Sequence, residues 1–184
     1  MKRATLWILA ASAAAAAAML AVSFVPTHAD ESDSGQNGQD WPCWRGPNGD
    51  GISEETDWDP EALNKKKVLW RKSIGAGYSA VSVADGKAYV MGNADGKDTV
   101  WCFDAADGEK IWEFSYPCGS PRRYPGPRGT PLVHDGHVYT HSREGHLYCL
   151  TADKGREVWK KNTRKDFGAQ PGNWLSRSMQ CPIC

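Results

Sequence analysis

Four groups of residues in this 184-residue chain have side chains suited to a site. The first is Cys181-x-x-Cys184, a spacing used by redox pairs and by half of a zinc site. A structural zinc site takes four ligands, and the sequence has no second CxxC. No helix start accompanies the pair to lower a thiolate pKa, so it is read as an accident of the chain end. The second group is His134, His137, His141 and His146. They fall on separate strands and turns of one predicted hairpin region without supporting carboxylate spacing, so no metal ligand is assigned. The third is the stretch from Tyr116 to Arg128 (YPCGSPRRYPGPR), which has four prolines and three arginines, Arg122, Arg123 and Arg128. Guanidiniums on a stiff connector can hold an anionic ligand. The alternative is a rigid link with solvated arginines. The fourth is Trp41, Trp44 and Arg45, either a recognition patch or aromatics that pack the leader onto the domain. The second use is the expectation.

No other catalytic signal is present: there is no nucleophile elbow, phosphate-binding loop, dinucleotide glycine motif or zinc-protease helix. Lys plus Arg and Asp plus Glu are balanced at 22 each. That balance does not suggest nucleic acid or an anionic membrane surface as a partner.

Residues 1–29 read as a secretory signal. Lys2 and Arg3 precede an apolar run from Leu6 to Val25, and Thr27-His28-Ala29 offers small residues where a signal peptidase cuts. An uncleaved membrane anchor is the other reading of a run this long. Six cysteines remain after such a cut, and export permits disulfides without showing them. Residues 30–67 form a polar leader followed by a tryptophan-rich segment, WPCWRGPNGDG.

From residue 68 the pattern changes to short alternating runs separated by Asp-Gly and glycine-rich turns, the mark of antiparallel strands. Strands are predicted near 68–74, 79–84, 87–92, 99–104 and 110–116, then near 130–134, 137–142, 146–151 and 157–161. No convincing helical period follows residue 68. The two sets repeat each other. DGKAYV at 85–90 matches DGHVYT at 135–140, and FDAADGEKIW at 103–112 matches LTADKGREVW at 150–159. A period of 40–50 residues holding four short strands is a propeller blade. The expectation is therefore an all-β protein, with about two blades of a β-propeller over residues 68–161 and the start of another over 162–184. Gly108 and Gly155 supply the turn before the outer strand. Trp70, Trp112 and Trp159 occupy equivalent outer-strand places, where a large flat side chain can pack against the next blade.

The blade motif, Cys102-x-Asp104-x-x-Asp107-Gly108-x-x-x-Trp112 and then Cys149-x-Thr151-x-x-Lys154-Gly155-x-x-x-Trp159, resembles the pyrroloquinoline-quinone-like (PQQ-like) repeat superfamily. Its glycine and tryptophan match in both copies, whereas the family's alanine and threonine positions depart in both and its aspartate departs in the second. The resemblance implies a ring of about six to eight blades, of which two are an incomplete part, as in a truncated or frame-disrupted copy of a longer protein. Some members are dehydrogenases that hold PQQ and calcium on the propeller axis. Others are scaffolds, as in the outer-membrane barrel assembly machinery. The dehydrogenases carry a disulfide between adjacent cysteines, and no two cysteines are adjacent here. PQQ is thus a cofactor by resemblance only, and no residue is assigned to it. The reading favours an exported binding or scaffold module with a protein or small-ligand partner. It keeps the amino-terminal part of a PQQ-dependent dehydrogenase as the alternative, and leaves open whether the chain is an enzyme. A nonfunctional remnant is a third reading.

Overall fold

The computed structural model describes residues 39–56, 59, 61, 68–120 and 123–169. The signal segment, Arg122 and the Cys181–Cys184 pair lie outside the described residues.

Among the described residues, eight strands form two four-stranded antiparallel sheets, each in sequential order. The first blade comprises β1 (Ser82–Ala84), β2 (Lys87–Ala94), β3 (Lys97–Asp104) and β4 (Lys110–Pro117). The second comprises β5 (Leu132–His134), β6 (His137–His141), β7 (His146–Thr151) and β8 (Glu157–Asn162). The turns explain the meander. At Asp85-Gly86, Asp95-Gly96 and Asp135-Gly136 both residues take positive φ, the backbone of the two-residue hairpin turns that Asp-Gly favours. Both blades carry the same register shift between strands three and four, at Cys102/Phe103 and at Cys149/Leu150.

The sheets meet at their first strands, where the Ser82 hydroxyl donates to the Pro131 carbonyl. Between them lies one apolar core, which includes Tyr89, Met91, Val100 and Trp112 from the first blade and Val138, Tyr148 and Leu150 from the second. The amino-terminal segment closes the inner edge. Trp41 exchanges both backbone hydrogen bonds with Val83 (2.8 and 2.9 Å), and the Pro42 carbonyl accepts from the Val133 amide at 2.8 Å. Two residues, Trp41 and Pro42, thus bridge the inner strands of both blades. Cys43 is fully buried, against Leu132 and Tyr139.

Two local expectations are corrected. Residues 68–74 form no strand, because no neighbouring third strand pairs with them among the described residues. A short helix, α1 (Thr163–Phe167), follows β8. At five residues it is too short to show a period. Its signal lies in the caps: Asn162 Oδ1 accepts from the amides of Arg164 and Lys165, Asp166 accepts from the Asn162 amide, and Gly168 closes the helix in the left-handed region. Among the described residues no helix is long and apolar enough to cross a membrane.

Candidate functional site

The blade tryptophans interlock. The Trp112 indole reaches from β4 onto the turn before β8, where its Nε1 donates to the Ala152 carbonyl at 2.9 Å and its ring lies over Gly155. Trp70 makes the same contact one blade earlier, donating to Ala105 O at 3.0 Å with its ring over Gly108. A Cβ on Gly155 would sit inside the Trp112 ring, so glycine is required there by space as well as by its positive φ. Trp159 holds the equivalent place on β8 and is 39% exposed, against 7% for Trp112.

The two described arginines of the blade connector differ in exposure. Arg123 is exposed, with its guanidinium 5.3 Å from the centre of the Tyr124 ring, while Arg128 is half-buried. The four histidines do not converge either. His134 is exposed, His137 Nδ1 lies 2.6 Å from the Asp135 carbonyl, and His141 Nε2 lies 3.3 Å from the Thr163 hydroxyl. Trp41 covers Gly46, and Trp44 is half-exposed.

Only His146 joins a cluster. Its ring, the Cys118 thiol and the Glu144 carboxylate place one ligand atom each within 4.8 Å of one another. Cys118 comes from the connector after β4, and the other two from the hairpin between β6 and β7. Behind them stands Asp98 on β3, 1% exposed, whose Oδ1 accepts from Asn93 Nδ2 at 2.7 Å. Burial raises the Asp98 pKa, opposed by hydrogen bonds from Asn93 and from the Cys118 thiol. Burial, and then the Asp98 carboxyl, pushes the Cys118 thiol up to about 12. A thiol held protonated in this way, and only 2% exposed, is a poor nucleophile. The Tyr116 hydroxyl is raised as well, by burial and then by Asp98. Ser142 Oγ lies 3.1 Å from His146 Nδ1, and Tyr116 meets the His146 ring edge-on at 5.5 Å. The sequence reading found none of this grouping. Its one local signal is the closeness of Glu144, in the β6–β7 turn, to His146 at the start of β7, and their partner cysteine lies in the connector after the first blade.

The sequence profile described as outer membrane protein assembly factor BamB matches residues 61–122 and 121–173, spanning both blades. The chain belongs to the PQQ-like β-propeller repeat family. Among solved structures it is similar to a europium-containing methanol dehydrogenase, with 18% identity and a TM-score of 0.54 over 67% of this chain and 23% of that one. It is similar also to the quinohemoprotein alcohol dehydrogenase of Comamonas testosteroni, with 21% identity and a TM-score of 0.52 over 70% of this chain and 20% of that one. BamB from Moraxella catarrhalis aligns at 20% identity and a TM-score of 0.36, over 47% of this chain and 24% of that one. At these identities the two dehydrogenases show the propeller fold alone, and the chain spans less than a quarter of each of the three structures. No curated protein matches the chain.

Proposed function

We propose that the chain is part of an exported, non-enzymatic propeller that acts as a binding or scaffold module. The observation that carries this reading is the inner edge. The backbone groups of Val83 and Val133 that face the centre of the blade array are bonded to Trp41 and Pro42 of the chain itself. The innermost strands are thus capped by the chain's own backbone, which supports a closed structural edge at that place. Export is supported by the basic, apolar and small-residue order of positions 1–29, and by the family's description as an outer membrane assembly factor. Within the module, Arg122, Arg123 and Arg128 of the blade connector are the proposed contacts for an acidic partner or an anionic ligand.

The test adds PQQ and calcium to the purified chain and follows tryptophan fluorescence together with alcohol-dependent dye reduction. Neither saturable quenching nor dye reduction is expected. Saturable quenching accompanied by turnover overturns the reading in favour of a dehydrogenase. Once a partner is identified, reversing the charge of all three arginines is expected to weaken its binding at least tenfold, and unchanged binding removes them from the interface.

A further inference from the structure

We infer that Cys118, Glu144 and His146 form a site for a divalent ion of the zinc class that ties the first blade to the second. This inference does not depend on the scaffold reading. A thiolate, an imidazole and a carboxylate are the donors of a borderline-soft ion, whereas calcium and magnesium prefer oxygen throughout. Metal–ligand bonds of about 2.0–2.3 Å place ligand atoms roughly 3.3–3.8 Å apart around a tetrahedral ion. The present ligand atoms all lie within 4.8 Å of one another, so binding requires them to draw together by about 1 Å.

Two further atoms point into the same place. Asp98 Oδ2 and Tyr116 Oη are buried and poorly satisfied, with the Cys118 thiol as the further contact of the Asp98 carboxyl and Ser142 as that of Tyr116. Leaving such groups unsatisfied away from water is costly, and an ion with a bound water would engage both. The surroundings orient the ligands as outer contacts do in metal sites. The Ser142 hydroxyl and the Tyr116 ring fix the His146 plane. Gly119 leaves room for the carboxylate, since a Cβ there would come within 3.0 Å of Glu144 Oε1. Three protein ligands leave a fourth position for water. A Cys118–His146 nucleophilic pair is the competing use of the same side chains, and burial of the thiol denies it a substrate.

The test uses the full chain, reduced and stripped with chelator, then titrated with Co²⁺. The expected result is a thiolate-to-cobalt charge-transfer band with the visible bands of a four-coordinate ion, both displaced by one equivalent of Zn²⁺. C118S should abolish the charge-transfer band, and E144Q and H146Q should each weaken Co²⁺ binding at least tenfold. C102S and the C181S/C184S double variant should leave the band unchanged. Circular dichroism checks that each variant folds; if C118S does not, E144Q and H146Q carry the decision. Absence of the band in folded wild-type protein, its survival in C118S, or its loss in C181S/C184S overturns the site.

Discussion

The two blades share turns, bulge and tryptophan, yet they differ in what covers them. On β4 of the first blade Trp112 is buried, because Gly155 and the Ala152 carbonyl of the second blade receive it. On β8 every residue but the last is exposed, Trp159 included. The same motif therefore has two energetic values within one chain. A blade's outer strand is an ordinary amphipathic strand until the next blade arrives, and the interlock is a property of the pair.

The largest expected effect breaks that pairing directly. Trp112→Ala should cost about 3–5 kcal/mol, the range for deleting a buried aromatic, whereas Trp159→Ala should cost less than about 1 kcal/mol. Urea midpoints of the two variants measure the difference, and equal losses would remove the contrast between the blades. Next in size is Gly155→Ala, where the added methyl meets the Trp112 ring and the positive φ is strained. A loss of about 2–4 kcal/mol is expected. Gly136→Ala has a similar φ with nothing within 4 Å, so it isolates the backbone cost, about 1–2 kcal/mol. A third variant probes the end of the second blade. Asn162→Ala removes the cap of α1 and should cost about 1 kcal/mol, seen as a small shift in melting temperature.

The smallest effect compares equivalent cysteines. Burial raises Cys102 on β3 from 9.0 to about 11, and burial raises Cys149 on β7 too. A thiol whose folded pKa lies above its unfolded value stabilises fully below about pH 9. That contribution is lost as pH climbs toward 11, because the unfolded chain releases its proton first. Cys102→Ala should therefore flatten part of the alkaline fall in stability, and Cys149→Ala should flatten less of it. Melting curves between neutral pH and pH 11 test this. Identical profiles for wild type and Cys102→Ala would count against it.

Hairpins were the most legible part of the sequence. Asp-Gly pairs favour the positive φ of tight hairpins, and alternation marks the strands between them, so β2, β3, β6 and β7 fall where periodicity places them. Residues 68–74 misled because they carry strand-like alternation and the outer-strand tryptophan. Alternation reports side-chain sidedness, while a strand also needs a hydrogen-bonding neighbour. The Trp41–Val83 pairing was invisible for the converse reason: a tryptophan and a proline can join a sheet edge without any period of their own. The Cys118, Glu144 and His146 cluster escaped because its members lie on different blades. The hairpin arms also differ in length, eight residues each for β2 and β3 against five and six for β6 and β7. The repeat offset therefore changes between the inner and outer halves of the blade, and no fixed spacing could bring the three together.

The tryptophan contact has a direction. In both contacts a tryptophan key enters the lock on the turn of the blade that follows, Trp70 at Gly108 and Trp112 at Gly155. Units joined head to tail in this way can be duplicated or deleted whole without redesigning any junction, because each copy brings both halves of the joint. Families built on such a joint are free to change blade number in evolution by unequal recombination, while a lesion in a single lock weakens one seam and leaves the others intact.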